Sequence, residues 1–205
     1  SLITGCSYSK IVEGIESIGF RAFKQMADLY ELNIPSTIKS INATAFDGCP
    51  NINYISVSKR NSVYDSRNNC NAIIETATNT LCISSNKTVI PTDIVKIGAC
   101  AFCGRTGLLD IVIPNSVEMI REFAFEGCFY LRSVILPQNL KEIYPAAFKN
   151  CSMLSKVIIP NSVERIWEEA FMNCTDLYSV SMPNSVIQID DSAFRNCDNL
   201  VNSEI

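Results

Sequence analysis

Hydrophobic and polar positions along the chain recur at every twenty-third position. Prolines mark the period, because Pro91, Pro114, Pro137, Pro160 and Pro183 follow one another at this constant spacing. Fixed spacing over five consecutive units is the signature of a repeat protein rather than of a fold with a single centre.

The period extends toward the N-terminus with one irregular unit. Between Pro35 and Pro91, Ser58 occupies the proline position, one regular period after Pro35. One regular period before Pro35 is Val12. The segment 58–90 is therefore a 33-residue variant of the 23-residue repeat.

Four columns of apolar residues hold the same phase relative to these anchor positions. An aliphatic residue stands three after the anchor at Ile15, Ile38, Ile94, Val117, Leu140, Val163 and Val186, and isoleucine stands six after it at Ile18, Ile41, Ile97, Ile120, Ile143, Ile166 and Ile189. Eleven after it is phenylalanine at Phe23, Phe46, Phe102, Phe125, Phe148, Phe171 and Phe194, and seventeen after it are Leu29, Ile52, Leu108, Leu131, Leu154, Leu177 and Leu200. No single repeat can bury four such positions, so each repeat must stack on its neighbours.

One repeat contains a short strand, a turn and a compact segment. The residues 131–136 alternate so that Leu131, Val134 and Leu136 point inward, and Pro137 ends the strand because it has no N–H to donate. A turn such as Asn115-Ser116 follows. We predict a solenoid with a parallel β-sheet on its concave face and short helical or 3-10 turns around the Ala-Phe pairs on its convex face.

The variant repeat and the chain ends carry two further expectations. Asn71–Thr76 and Thr78–Ile83 indicate two strands, so we expect a β-hairpin that protrudes from the solenoid. Residues 2–12 align without gaps to residues 81–91, which suggests that another hairpin-bearing repeat precedes residue 1. We therefore expect residues 1–205 to form a single solenoid domain that is a fragment of a longer chain.

The repeat consensus resembles a known family. Its motif, Ile-Pro-Asn-Ser-Val-x-x-Ile-x-x-x-Ala-Phe-x-x-Cys-x-x-Leu, is similar to the BspA-type leucine-rich repeat and recurs through nearly the whole chain. The resemblance implies an α/β-type leucine-rich repeat solenoid. It also implies a secreted or cell-surface protein of anaerobic bacteria or mucosal protists, with a role in adhesion to host proteins or other cells and no enzymatic activity.

Composition excludes several functions. The chain has no histidine, which removes Ser-His-Asp and Cys-His catalysis and imidazole metal ligands. A net charge of −4 gives no electrostatic reason to expect nucleic acid as a partner. No apolar run is long enough for membrane insertion. We predict a chain that is no enzyme and that needs no metal or cofactor.

Cysteines raise the question of redox or metal chemistry. Five of them share the position fourteen after the anchor: Cys49, Cys128, Cys151, Cys174 and Cys197. Met26 and Arg105 occupy the same column, so we interpret it as a small buried apolar position rather than a disulfide or zinc ladder. The Cys100-x-x-Cys103 pair lacks a second pair at zinc spacing, and a disulfide there, or one between Cys70 and Cys82 across the hairpin, is left open.

The strands also expose two rows of outward side chains. Nineteen after the anchor are Glu31, Tyr54, Asp110, Ser133, Lys156, Ser179 and Asn202, and twenty-one after it are Asn33, Ser56, Val112, Ile135, Ile158, Ser181 and Glu204. Three successive strands thus expose branched apolar residues, which we call the apolar stripe: Val112, Ile135 and Ile158.

The apolar stripe indicates either an ordinary strand surface or a site for a partner. On the second interpretation Val112, Ile135, Ile158, Asp110, Lys156 and Tyr54 bind a protein partner, with a host extracellular matrix or cell-surface protein the expected class. We expect an extracellular or cell-surface location. The alternatives are a structural spacer for another domain and, more remotely, an enzyme.

Overall fold

The protein is a β-solenoid of about eight turns built from two kinds of parallel strand. The computed structural model describes residues 11–200. Leu2 to Lys10, Asn202 and Glu204, which entered the expectations above, lie outside the described residues.

One kind of strand lies at the end of each 23-residue repeat within the described residues and has three or four residues. These longer strands are β2 (Glu31–Ile34), β4 (Tyr54–Val57), β9 (Asp110–Val112), β11 (Ser133–Ile135), β13 (Lys156–Ile158) and β15 (Ser179–Ser181). They form two parallel groups, β2-β4 and β9-β11-β13-β15, which we call the long-strand sheet. The register matches the repeat period, since Val134 pairs with Ile111 and Val157 pairs with Val180.

A second parallel sheet runs along the solenoid and was not predicted. Its strands have two residues each, and all but the first two belong to one continuous group: β1 (Ser17–Ile18), β3 (Ser40–Ile41), β8 (Lys96–Ile97), β10 (Met119–Ile120), β12 (Glu142–Ile143), β14 (Arg165–Ile166) and β16 (Gln188–Ile189). From this sheet Ile97, Ile120, Ile143 and Ile166, in the column six after the anchor, point into the core and are fully buried, whereas Ile189 on the last strand is 38% exposed. Each turn of the solenoid therefore consists of a long strand, a corner, a short strand and a loop that leads to the next long strand.

The predicted helical pieces around the Ala-Phe pairs are not found. These segments are turns, and within residues 11–200 the only helix is a 3-10 turn at Arg67–Asn69. Phe123 and Gly127 have positive φ angles of 58° and 71°, which interrupts any right-handed helix. Along these turns, backbone N–H groups consequently donate in alternation to a carbonyl of the same repeat and to a carbonyl of the next repeat. Ala124 donates to Arg121 within its repeat at 3.3 Å, whereas Phe125 donates to Ala147 of the next repeat at 2.8 Å.

The hairpin of the variant repeat forms, but it does not protrude. β5 (Tyr64–Asp65), β6 (Ala72–Glu75) and β7 (Thr80–Ser84) pair antiparallel, and β7 continues into the short-strand sheet by pairing parallel with β8. Both faces of the hairpin are apolar and buried. Ile74 and Leu81 pack against the core of the later repeats, and Ile73 and Ile83 pack against the core of the earlier ones. The hairpin is thus a partition inside the solenoid that divides the core in two.

Phenylalanine rings form the centre of each core. Phe102, Phe125, Phe148, Phe171 and Phe194 stack in series, with centroid separations of 4.7, 5.1, 5.3 and 5.2 Å. Phe23 and Phe46 stack in the same way on the other side of the hairpin, at 5.1 Å. Each ring contributes a large apolar area to the contact between consecutive repeats.

Arg105 crosses the partition and is almost completely buried. It stands in the cysteine column of the first repeat after the hairpin. Its guanidinium donates to the carbonyl oxygens of Ser84 at 2.9 Å, Cys49 at 2.8 Å and Cys103 at 3.4 Å. Because Cys49 belongs to the repeat before the variant, one side chain joins the two halves of the solenoid.

Candidate functional site

The apolar stripe lies on the outer face of the long-strand sheet. Val112, Ile135 and Ile158 are 63%, 56% and 60% exposed, and they occupy the last position of β9, β11 and β13. The residue before each of them is buried in the core, as the alternation of a β-strand requires. Ile135 pairs in register with Val112. The chain therefore presents branched apolar side chains to solvent on three neighbouring strands.

Polar and charged side chains border the apolar stripe. Asp110, Ser133 and Lys156 are the first residues of the same three strands, and Ser133 is in register with both charged residues. Among the described residues neither Asp110 nor Lys156 has an ion-pair partner. Beyond Ile158 the next strand places Ser181 in register. The surface thus has an apolar centre and a hydrophilic border with charges of both signs.

Val89 occupies the same column of the repeat as the apolar stripe, although it lies outside the long strands, and the sequence pattern did not predict its exposure. It stands one regular repeat period before Val112, is 73% exposed and donates its backbone N–H to the carbonyl of Cys70 at 3.1 Å. The two predicted rows of outward residues omit the variant repeat and therefore omit Val89. The signal that identifies it is its position two before Pro91, as Val112 lies two before Pro114.

Tyr54 lies apart from the other five predicted site residues. It belongs to β4, in the separate pair β2-β4, and its ring packs edge-on against Tyr30 at 5.4 Å. Lys87 Nζ donates to the Tyr54 hydroxyl at 3.1 Å and lies 4.7 Å from the ring centroid. The ammonium lowers the pKa of Tyr54, and the hydrogen bond raises the pKa of Lys87. The structure therefore places Asp110, Lys156 and the apolar stripe on the four-stranded group of the long-strand sheet and Tyr54 on the two-stranded group.

The cysteine column is a set of buried hydrogen-bond donors. The thiols of Cys128, Cys151, Cys174 and Cys197 donate to the carbonyl oxygen of the phenylalanine 26 residues earlier, at 3.0 to 3.2 Å. Burial raises the pKa of Cys128 to about 12 and that of Cys197 to about 11. A thiol that stays protonated and buried is a poor nucleophile and a poor metal ligand. The column therefore joins neighbouring repeats.

The other cysteines within residues 11–200 are also free thiols. Cys70 packs in the later core and Cys82 against the earlier one, so the hairpin separates them. Cys100 and Cys103 are half-buried and hydrogen-bonded to each other. This hydrogen bond lowers the pKa of Cys100 and raises the pKa of Cys103.

We expect the four thiols at Cys128, Cys151, Cys174 and Cys197 to resist alkylation until the protein unfolds, because they are buried and protonated. Iodoacetamide labelling mapped by mass spectrometry, with and without denaturant, measures this directly. Cys100, with its lowered pKa and partial exposure, should label first in the native protein. Labelling of the four column thiols in native protein, or finding them already oxidised, would contradict the packing described here.

Residues 11–200 contain no cluster of three or more Cys, Asp or Glu side chains that could hold a metal ion. No helix in this part of the chain is long and apolar enough to cross a membrane.

Comparison with solved structures identifies bacterial leucine-rich repeat proteins with the same fold. A leucine-rich cell surface protein of Faecalibacterium prausnitzii is 26% identical with a TM-score of 0.81, over 94% of this chain and 57% of that one. A leucine-rich repeat protein of Bacteroides ovatus is 25% identical with a TM-score of 0.62, over 86% of this chain and 43% of that one. The pneumococcal vaccine antigen PcpA, at 18% identity and a TM-score of 0.70 over 85% of this chain and 48% of that one, shares the fold alone. The chain thus spans about half the length of these proteins.

Sequence comparison gives the family. Among curated proteins no sequence matches the chain. The sequence profile described as the BspA type leucine rich repeat region matches residues 4–77 and 72–201, in six copies. These matches cover most of the chain and agree with the resemblance drawn from the repeat motif. The chain belongs to the BspA-type leucine-rich repeat family.

Proposed function

We propose that the chain is a non-catalytic recognition module that binds a protein partner through the apolar stripe. The observation that carries the proposal is the exposure of Val112, Ile135 and Ile158 on three adjacent strands. Asp110 and Lys156 would border the contact, and Tyr54 would lie at its far edge. The partner class we expect is a host extracellular matrix or cell-surface protein.

Family and chemistry support this proposal. BspA-type repeats are typical of surface proteins and of protein–protein interaction, and the similar F. prausnitzii protein is described as a cell surface protein. We therefore place the chain outside the cell or on its surface. The absence of histidine from the sequence removes the commonest general base and supports a role without catalysis.

The physical argument rests on how interfaces distribute binding energy. A few central residues that lose all contact with water contribute most of the affinity, while a polar border excludes solvent and sets specificity. The apolar stripe has this arrangement. The backbone that carries its side chains is already fixed, since Ile111, Val134 and Val157 anchor the same strands in the core. Binding would therefore order few additional groups, which lowers its entropic cost.

Substituting the centre of the stripe tests the proposal. We expect Ile135→Asp to weaken partner binding at least tenfold, about 1.4 kcal/mol, because a carboxylate would have to be buried at the contact. The melting temperature should barely change, since the side chain faces water in the free protein. The partner is recovered by pull-down from host extracellular proteins, and its affinity is then measured by surface plasmon resonance.

Ile187→Asp is the matched control. Ile187 is 83% exposed and lies directly before β16 of the short-strand sheet, away from the stripe. This variant should bind as the wild type does. Unchanged binding by Ile135→Asp, or an equal loss in both variants, would reject the apolar stripe as the contact surface.

A further inference from the structure

A cleft lined mainly by polar residues opens beside the long-strand sheet at the start of the variant repeat. It has a volume of about 740 Å³, which falls in the range of ligand-binding pockets. One wall is the outer face of β2 and β4, with Glu31 and Tyr54, and the other is the loop that contains Asn68, Asn69 and Asn71. The apolar stripe does not contribute to it.

The charges lining the cleft cancel. Glu31 and Asp65 are acidic, and Lys59 and Arg67 are basic. The Arg67 guanidinium is also occupied within the protein, because it donates to both carboxylate oxygens of Asp65 at 2.9 and 2.6 Å and to Asp93 at 2.7 Å. Asp65 and Arg67 neutralise each other in an ion pair, and the two other lining charges, Glu31 and Lys59, are of opposite sign. A cleft with balanced charges has no net preference for an anionic or cationic ligand. Its lining favours an uncharged polar one.

Three asparagine carboxamides in the cleft are unused by the protein. Within residues 11–200 the side chains of Asn68, Asn69 and Asn71 form no hydrogen bond, and Asn68 and Asn69 are exposed. The backbone at all three has a positive φ, of 56°, 53° and 54°. Each carboxamide offers two donors and an acceptor. Together they present donors and acceptors side by side, as a ligand with many hydroxyl groups requires.

An aromatic residue with a fixed orientation completes the cleft. Tyr54 is 43% exposed, and its ring is held by the edge contact with Tyr30 and by Lys87 above it. Glu31 adds a carboxylate acceptor that already binds Asn33 Nδ2 at 3.0 Å. Sugar rings combine an apolar face of C–H groups, which packs on aromatic rings, with hydroxyl groups that both donate and accept. The cleft offers the Tyr54 ring to the C–H face and the asparagine and glutamate side chains to the hydroxyl groups.

We propose that this cleft binds a neutral oligosaccharide, with Tyr54 packing against a sugar ring and the carboxamides of Asn68, Asn69 and Asn71 binding its hydroxyl groups. The site contains none of the residues of the apolar stripe, and Tyr54 is the one residue that it shares with the proposed protein contact. The chain would then recognise two chemical classes, a protein and an uncharged glycan, on different parts of its surface.

The test is binding to a printed array of neutral, sialylated and sulfated oligosaccharides, followed by calorimetric titration of the best neutral glycan. We expect signal on neutral glycans, and an affinity at least tenfold lower for the double variant Asn68→Gly/Asn69→Gly. Glycine keeps the left-handed backbone and removes only the carboxamides. Ser192→Gly, at an exposed position with φ 60° far from the cleft, is the control and should bind normally.

Four results would overturn the proposal of a neutral oligosaccharide site. No glycan signal from folded protein, or signal only on sulfated or sialylated glycans, would reject a neutral oligosaccharide. Binding that survives Asn68→Gly/Asn69→Gly would place the glycan elsewhere. Capture of a peptide that the double variant loses, with no glycan bound, would make the cleft a peptide site. Loss of glycan binding with intact protein binding, and the reverse for Ile135→Asp, would separate the two proposals.

Discussion

Phe148→Ala should lower the free energy of unfolding by about 3–5 kcal/mol, the range for truncating a buried aromatic side chain. Phe148 is fully buried and stacks on Phe125 at 5.1 Å and on Phe171 at 5.3 Å. Its removal opens a cavity that two repeats share, and a stacked array has little freedom to collapse into it, because hydrogen bonds fix the spacing of the turns. Urea denaturation followed by circular dichroism measures the change.

Phe129→Ala is the control for this prediction. Its ring is 47% exposed, so the same change in composition should shift stability by less than about 1 kcal/mol. Comparable losses for Phe129→Ala and Phe148→Ala would show that the phenylalanine stack is not the centre of the core.

Arg105→Ala should destabilise the protein by about 2–4 kcal/mol, since it leaves a cavity and removes hydrogen bonds from a charged donor. The carbonyl groups of Ser84 and Cys49 would lose the donor between them, on both sides of the hairpin. Relief from burying a cation offsets part of the loss, and burial already lowers the pKa of this guanidinium. Thermal and urea unfolding provide the measurement.

A second variant at this position separates shape from charge, and a variant at an exposed arginine is the control. Arg105→Lys keeps the charge but cannot reach the same carbonyl groups with a planar fork, so most of the loss should remain. Arg132→Ala, at an exposed arginine of the next repeat, should change stability by less than about 0.5 kcal/mol. Full stability in Arg105→Ala would mean that the halves of the solenoid are joined by the hairpin alone.

The outward-facing residues of the long strands could be predicted because successive side chains of a β-strand alternate between the two faces of the sheet. With Leu131, Val134 and Leu136 in the core, Ile135 must face outward, and the structure exposes it. The phenylalanine column was equally clear, since one residue type recurs at one position in every regular repeat. Periodic features of this kind are visible in a single sequence because each repeat supplies an independent observation.

The second sheet and the turns were missed for a physical reason. Strands of two residues, such as Met119–Ile120, are too short to show alternation. The Ala-Phe turns contain left-handed residues as different as Phe123, Ala146 and Glu169, so no residue type predicts them. Hydrogen bonds between repeats stabilise this backbone, and local propensity does not report them.

The packing of the hairpin and the role of Arg105 could not be predicted, because each occurs once and no other repeat offers a comparison. The variant repeat occurs once in full, so its two apolar faces could not be compared with other copies, and the strands were placed outside the solenoid. Arg105 looked like an exception in the cysteine column. It is the residue that bridges the place where the phenylalanine stack is interrupted, between Phe46 and Phe102.

Hydroxyl-radical footprinting of the complex shows whether a protein partner contacts the apolar stripe. Aliphatic side chains label in proportion to their exposure, and Val112, Ile135, Ile158 and Ile187 are all exposed in the free chain. We expect a saturating partner to suppress labelling of Val112, Ile135 and Ile158 and to leave Ile187 unchanged. Undiminished labelling of the three stripe residues in the complex would contradict this contact.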